Sequence, residues 1–296
     1  MRKETLPAGV KPFVVAAAVL CCVFGARGQQ AQPAKSQPER TKSTVTQNTA
    51  VAPRSGELLA EIKRSGKLRV GVAEIVPWAT HDQDGNLVGF EIDVARKLAR
   101  DLGVQPEFYP EDFRYLISDL LAGRFDLIVS GLSITASRAL RVDFSAPYHT
   151  TDVTLAANVR TAGASPKLQD FDKQTVTIGV LEGSTAEELA GDALPNAHIK
   201  TYGDDGEMFD DLLQGKLDGA VADSPRPEIV AKLFPSNVTC VCDEPLATYP
   251  AGFAVRRGNL EFINFLNAWI ESHTADKWLE SRRHYWFKST DWAKEL

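Results

Sequence analysis

The chain has 296 residues, of which 44% are hydrophobic and 24% charged, and its formal net charge is −6. This length allows one large or two ordinary domains, and the composition excludes collagen, a coiled coil and wholesale disorder. The negative charge argues against a nucleic-acid or anionic-membrane partner, because such partners attract basic surfaces.

The first residues have the pattern of an export signal. Arg2, Lys3 and Lys11 precede an apolar run from Pro12 to Ala26, which is shorter than a membrane span. We predict a signal peptide at residues 1–28, with cleavage after Gly28 and a periplasmic or other extracytoplasmic location. Its removal takes the net charge from −6 to −9, because four positive side chains and one negative one are lost.

Lipid anchoring is the alternative for this segment, since Cys21 and Cys22 lie in the apolar run. Leu20 stands where lipoprotein signals need a small residue, which disfavours lipidation. Residues 29–56 are rich in Gln, Pro, Ser and Thr and have few large apolar side chains, so we predict a disordered linker. The folded part is expected to begin near Glu57.

Strand and helix patterns alternate from there on. Strands are predicted at Lys67–Val72, Gln105–Tyr109, Asp126–Ser130, Thr175–Val180, near Ile199 and at Asp218–Ala222, and helices at Phe90–Leu102, Phe113–Leu121, from Thr185, at Gly206–Gln214, at Asn259–Ser272 and from Thr274. This order is typical of an α/β fold with parallel, doubly wound sheets.

One helix-strand unit occurs twice. Residues 119–130 align without gaps on residues 211–222, and Asp, Leu, Leu, Gly, Asp and Val recur at the same offsets. In each copy a helix ends at a glycine and continues into a buried strand. The repeat predicts two similar lobes rather than one large sheet.

Polar residues follow both repeated strands, namely Ser130 to Thr135 in one copy and Asp223-Ser224-Pro225 in the other. Ligands of open α/β sheets bind beyond the carboxyl ends of the strands. We therefore expect the two polar clusters to face each other across a ligand-binding cleft.

Six segments, in this order, resemble the periplasmic amino-acid-binding proteins of ABC importers, the extracellular solute-binding family 3. They are Gly66 to Val72, Asp84 to Ala95, Gly131 to Arg138, Val142 to Tyr148, Gly183 to Glu187 and Leu217 to Pro225. The resemblance covers roughly residues 57–290. It implies a two-lobed, type II periplasmic-binding-protein-like fold with the ligand between the lobes.

The resemblance also implies a domain organisation. Lobe 1 would comprise residues 57–151 and 249–296, and lobe 2 would be inserted as residues 152–248. Two crossover strands, near Thr150–Val153 and Ala247–Pro250, would form a hinge that closes over the ligand. The ligand would be a small zwitterion such as an amino acid, and a membrane permease of the ABC type would recognise the closed, monomeric protein.

Three residues are expected to hold the ligand's carboxylate. In the family, the arginine after the Ser-Ile-Thr segment binds it, and Arg138 occupies that place, where its planar fork matches a carboxylate. Ser133 and Thr185 would contribute from opposite lobes, because both belong to segments that open short helices. For Thr185 the alternative is a helix cap, with Glu187 completing a capping box.

Two further residues are expected at the ammonium group. Asp223 would pair with it, because a buried ammonium needs a carboxylate partner, and Ser130 would accept a hydrogen bond beside the backbone of Gly131 and Leu132. The alternative for Asp223 is an N-cap of the helix that begins at Pro225.

The side chain of the ligand is expected to lie between aromatic rings. Trp78 and Phe113 stand where the family carries aromatic residues. Glu74 and Glu91 are candidates for side-chain specificity, and a glutamate at position 74 would suit a cationic side chain.

Other functions remain open alternatives. Cyclohexadienyl (prephenate or arogenate) dehydratases share the fold and use a glutamate general acid after a Gly-Gly-Thr turn, so Glu187 is the candidate acid here, although the turn reads Gly-Ser-Thr. A ligand-sensing module is a second alternative. We expect no cofactor and no metal, and we interpret Cys240 and Cys242 as packing residues, with a strained redox pair as the alternative.

Overall fold

The computed structural model describes residues 57–163, 166–294 and 296. The predicted signal peptide at residues 1–28, the linker at residues 29–56 and the lipidation candidates Cys21 and Cys22 lie outside the described residues. Within the described ranges, every helix is too short or too polar to cross a membrane.

The elements alternate as the sequence predicts. Up to the first long strand they are α1 (Leu58–Ser65), β1 (Lys67–Val72), β2 (Thr80–His81), β3 (Leu87–Val88), α2 (Phe90–Leu102), β4 (Gln105–Pro110), a 3₁₀ turn (Phe113–Tyr115), α3 (Leu116–Leu121), β5 (Leu127–Ile128), α4 (Ala136–Ala139) and β6 (Val142–Asn158).

The second series begins after β6 and ends in a helical tail. It comprises α5 (Val159–Ala162), a 3₁₀ turn (Leu168–Phe171), β7 (Thr177–Leu181), α6 (Thr185–Ala193), β8 (His198–Tyr202), α7 (Asp205–Leu213), β9 (Gly219–Asp223), α8 (Arg226–Leu233), β10 (Val238–Val241), β11 (Ala247–Arg256), α9 (Leu260–Ala275), α10 (Trp278–Arg283), a π-helical turn (His284–Lys288) and a 3₁₀ turn (Asp291–Lys294).

The sheet contains the two predicted parallel parts. Strands β4, β1 and β5 are parallel neighbours, and so are β9, β7 and β8. The expectation of two separate sheets is wrong, however, because β11 and β6 lie between the two parts and join them into one nine-stranded sheet. Both joining strands are antiparallel to their neighbours, so the sheet is mixed.

Each part of the sheet has its own hydrophobic core, which accounts for the two lobes. In the first lobe α2 buries Phe90, Ile92 and Leu98 against β1, β5 and the C-terminal helices. In the second, α6 and α7 cover opposite faces of β7 and β9. Burying a large apolar side chain contributes about 1.5–3 kcal/mol, so each core stabilises its lobe substantially.

The repeated unit has the same architecture in both lobes. Gly123 and Gly215 follow α3 and α7 with φ of 78° and 76°, the left-handed conformation in which glycine ends a helix at little cost. The repeated aspartate then accepts a backbone N–H from the neighbouring parallel strand: Asp126 from Arg69 at 3.1 Å, and Asp218 from Thr177 at 2.8 Å. The recurring residues therefore stop a helix and align a strand.

The two predicted crossover segments pair with each other. In the antiparallel ladder of β6 and β11, Thr150 lies opposite Pro250 and Val153 lies opposite Ala247. The predicted lobe boundaries, 151/152 and 248/249, fall within this ladder. Two adjacent backbone connections are a geometry that allows bending between lobes without disturbing either core.

Two sequence expectations need correction. Cys240 and Cys242 form a disulfide rather than packing as free thiols, because the chain leaves β10 between them and brings their Cα atoms to 5.3 Å, within disulfide range. Helix α9 also extends past the predicted end, to Ala275, and α10 begins only at Trp278. Between them Lys277 has φ of 62°, which breaks the helix.

Candidate functional site

A cleft lies between the lobes at the carboxyl ends of β1, β7 and β9. Four of the predicted site residues line it together: Trp78, Phe113 and Ser130 from the first lobe and Asp223 from the second. The space between these residues measures about 500 Å³ when the solvent at the mouth of the cleft is included. Strand ends thus bring together residues that are up to 145 positions apart (78 to 223).

Arg138 lies beside this cleft and bridges the lobes. Its Nη1 donates to the carbonyl oxygen of Ser133 at 2.9 Å, and its Nη2 donates to that of Gly183, across the cleft, at 3.0 Å. The guanidinium also lies 5.7 Å from the centre of the Phe113 ring. Burial lowers the pKa of Arg138, and the nearby charge of Asp223 opposes that shift. The lobes are therefore closed, with a half-buried cation at their junction.

Ser133 and Thr185 meet across the same junction. Their hydroxyl oxygens are 3.5 Å apart, and both residues are buried. Thr185 is the first residue of α6, while the cap is Ser184, whose Oγ accepts from the N–H of Glu187 at 3.3 Å. The helix is therefore capped without Thr185, which leaves its hydroxyl at the cleft.

Asp223 ends β9 with its carboxylate in the cleft. Its Oδ1 is buried, and within the described residues it has no hydrogen-bond partner. Burial raises the pKa of Asp223 to about 7, with Arg138 lowering it and Asp205 raising it. The capping alternative is wrong, because α8 begins at Arg226, its cap residue is Pro225 and no side chain caps it. An orphan buried carboxylate oxygen is a ready acceptor for a cation.

Ser130 and the two aromatic residues form the first-lobe wall. Ser130 Oγ accepts the backbone N–H of Ala73 at 2.9 Å, which fixes this hydroxyl at the end of β5. Trp78 is only 5% exposed, and Phe113 begins the 3₁₀ turn after β4. Rings on this wall present apolar surface to the cleft, as a site for an aliphatic stem requires.

The two candidate specificity glutamates do not line this cleft. Glu74 lies in an adjoining depression and is 3.2 Å from His81 Nδ1. Glu91 is fully buried behind Gly131, and the hydroxyl of Tyr148 lies 2.8 and 2.9 Å from its two carboxyl oxygens. Burial raises the pKa of Glu91 to about 8. Its visible contacts support the Gly131 backbone rather than a ligand.

Glu187 is engaged with the backbone. Its Oε2 accepts the N–H of Gly183 at 2.8 Å, and Glu187 is outside the residues that line the cleft. Together with the Ser184 cap, this contact closes the first turn of α6 as the capping alternative predicts.

Sequence reasoning missed two charged residues in the cleft. Asp205 begins α7 and Arg226 begins α8, and both line the cleft opposite the aromatic wall. Arg226 Nε donates to Asp205 Oδ2 at 2.8 Å. The signal was present in the sequence for both residues. Asp205 follows β8, whose end was not considered, and Arg226 follows β9 directly after the Asp223–Pro225 cluster.

Comparison with known proteins agrees with this architecture. The model of the bacterial extracellular solute-binding proteins, family 3, matches residues 68–289. The L-cystine-binding protein TcyJ of Escherichia coli (strain K12) is 27% identical over 232 residues, which cover 78% of this chain and 86% of that protein.

Two further relatives bear on the alternatives. The cyclohexadienyl dehydratase of Pseudomonas aeruginosa is 26% identical over 234 residues, 78% of this chain and 86% of that protein. The crystal structure of the ancestral amino acid-binding protein AncCDT-1, a precursor of cyclohexadienyl dehydratase, superposes with a TM-score of 0.73 and 36% identity, covering 77% of this chain and 99% of that one. The family match spans most of the chain, and the fold is the two-lobed one. The chain therefore belongs to the bacterial extracellular solute-binding proteins, family 3.

Proposed function

We propose that this protein is an extracytoplasmic amino-acid-binding protein that closes over its ligand and delivers it to an ABC permease. Arg138, Ser133 and Thr185 bind the α-carboxylate, and Asp223 and Ser130 bind the α-ammonium. Trp78 and Phe113 contact the stem of the side chain.

The observation that carries this proposal is the presence of two opposite charges, on Asp223 and Arg138, at the lobe junction. Asp223 offers a buried carboxylate oxygen without a partner in the described residues, and Arg138 offers a half-buried guanidinium. Two of the five guanidinium donors of Arg138 are engaged by carbonyl groups, so donors remain for a carboxylate. A cation beside the cleft and an anion within it fit the two charged ends of a zwitterion.

Closure follows from where these groups are attached. Arg138 and Ser133 belong to the first lobe and Thr185 and Asp223 to the second, so a ligand contacts all four only when the lobes are together. Binding therefore shifts the population toward the closed form through the strands β6 and β11. A permease that reads both lobes would recognise that form.

The test compares Arg138→Ala with Arg141→Ala, which changes an exposed arginine three positions away. Calorimetric titration of the purified protein with the twenty amino acids identifies the ligand first. Arg138→Ala should then bind it at least about 30-fold more weakly, since losing one partner of a buried charge pair costs about 2–5 kcal/mol. Arg141→Ala should match the wild type. Unchanged affinity in Arg138→Ala would defeat the proposal.

A dehydratase is the second candidate, because a relative of this chain is a cyclohexadienyl dehydratase. Its general acid would have to be Glu187, whose carboxylate accepts the Gly183 N–H. A general acid must reach the leaving group of the substrate, and a residue held at the helix terminus is less suited to that role. We therefore place binding before catalysis.

A further inference from the structure

The Arg226–Asp205 pair is a second charged pair in the cleft that the α-carboxylate and α-ammonium of an amino acid do not use. Asp205 is 4% exposed, and its Oδ2 accepts from Arg226 Nε at 2.8 Å. The guanidinium of Arg226 also lies 4.7 Å from the centre of the Phe209 ring. Phe209 and Asp205 thus fix the orientation of a guanidinium that lines the cleft.

The far side of this guanidinium is unengaged. Within the described residues, neither Nη atom of Arg226 has a hydrogen bond, although the Nε is paired. The two Nη groups present the parallel N–H donors that match a carboxylate. Arg226 is therefore held through its Nε, and its two Nη groups remain available to a ligand in the cleft.

Helix ends add to this preference for an anion. Helices α7 and α8 begin at Asp205 and Arg226, and both of these residues line the cleft. The first turn of a helix leaves N–H groups without intrahelical acceptors and carries a partial positive charge. Acidic side chains at these two helix ends, Asp204, Glu207 and Glu228, offset part of that charge, so the free Nη donors of Arg226 remain the main attraction for a second anion.

The adjoining depression does not reverse this balance. Its acidic lining comprises Glu74, Glu111, Asp112, Asp204 and the Arg226-bound Asp205, and each of these carboxylates already has a partner. Glu111 and Asp112 pair with arginines, Glu74 pairs with His81, and Asp204 caps α7 by accepting from the N–H of Glu207. The carboxylates of this depression are therefore engaged by groups of the protein itself.

We infer that the cleft selects an amino acid whose side chain carries a second carboxylate, which Arg226 binds with its two Nη groups. The inference rests on the proposed function, because the α-carboxylate and α-ammonium must occupy Arg138 and Asp223. The same chemistry occurs in L-glutamate and at the distal end of L-cystine, whose second ammonium can pair with Asp205. Free arginine and lysine are selected against, since a cation beside Arg226 is repelled.

The experiment titrates the purified protein with L-glutamate, L-glutamine, L-cystine and L-arginine by calorimetry. We expect L-glutamate or L-cystine to bind at least about tenfold more tightly than L-glutamine and L-arginine, since removing one charged hydrogen bond costs about 1.5–3 kcal/mol. Arg226→Met should abolish this preference, and Arg226→Lys should retain part of it. Arg282→Met is the control, because Arg282 likewise pairs with an aspartate, Asp93, and lies over an aromatic ring, outside the cleft.

The outcomes separate the two proposals. Tightest binding of arginine or glutamine, or an unchanged preference in Arg226→Met, overturns the inference and leaves the amino-acid-binding proposal standing. Binding of no amino acid defeats the proposed function and the inference with it. If Arg226→Met does not fold because Asp205 is left unpaired, Arg226→Met combined with Asp205→Asn removes both charges and must show the same loss of preference.

Discussion

The raised pKa of Asp223 turns the binding proposal into a quantitative prediction of how stability and affinity depend on pH. Burial raises the pKa of this carboxyl from its ordinary 3.8 to about 7, which corresponds to about 4 kcal/mol against ionisation at higher pH. Because the pKa of the folded state lies above that of the unfolded chain, this contribution to stability is fully present below about pH 4 and is lost as the pH rises through about 7. Asp223→Asn keeps the size and shape of the side chain but removes the group that titrates.

The expected result has two parts with opposite signs. Without a ligand, Asp223→Asn should have a higher free energy of unfolding than the wild type at pH 8, by an amount that grows with the population of the closed form to at most about 4 kcal/mol and that shrinks toward pH 4. The effect on amino-acid binding has the opposite sign. The variant should bind more weakly than the wild type, because only the ionised Asp223 pairs with an ammonium. The affinity of the variant should fall by about 2–5 kcal/mol at pH 8.

Urea unfolding at pH 4, 6 and 8 measures the first part, and calorimetric titration over the same range measures the second. The affinity of the wild type should rise about tenfold per pH unit up to about pH 7 and then level off, since a proton must leave Asp223 before the ammonium binds. Asp192→Asn, at an exposed helix position, is the control. Equal pH dependence in the wild type and Asp223→Asn, or equal losses for amino acids and simple carboxylic acids, would refute the reasoning.

Two other carboxyl groups give further predictions. Glu91→Gln should unfold at higher urea concentration than the wild type at pH 9 but not at pH 5. Burial raises the pKa of Glu91 to about 8, so the contribution of Glu91 to stability is lost as the pH rises through that value. The same difference between the two proteins at both pH values would contradict this. The purified protein should form no phenylpyruvate from prephenate, because Glu187 is held by the Gly183 N–H. Turnover that disappears in Glu187→Gln would instead establish a dehydratase.

Local patterns predicted the elements well where burial is one-sided. Strand β1 and helix α2 have the predicted bounds, because a period of two or of 3.6 residues marks the face that meets the core. The repeated Asp-Leu-Leu-Gly unit was also informative, since Gly123 and Gly215 adopt the same left-handed conformation. These features depend on residues near one another in sequence.

The joined sheet and two of the three charged residues that line the cleft, Asp205 and Arg226, were not predicted, for a different reason. Strand β6 is 17 residues long and is buried first in one lobe and then in the other, so it has no single alternating pattern. The pairing of Arg226 with Asp205 spans 21 positions and depends on where the first turns of α7 and α8 lie in the fold. Nor does sequence indicate that Arg138 binds two carbonyl oxygens when the lobes are closed.

The buried charges also explain why closure should depend on the ligand. In the closed arrangement Asp223 lies in the cleft with one oxygen unpaired among the described residues, and its raised pKa measures the resulting cost. A ligand ammonium offsets that cost only in the closed form, because in an open form water already solvates the carboxylate. The difference in ligand affinity between the two forms is the free energy available to shift their populations. A carboxylic acid that lacks an ammonium can engage Arg138, but it leaves the cost at Asp223 in place. Closure should therefore respond to zwitterions far more than to simple acids.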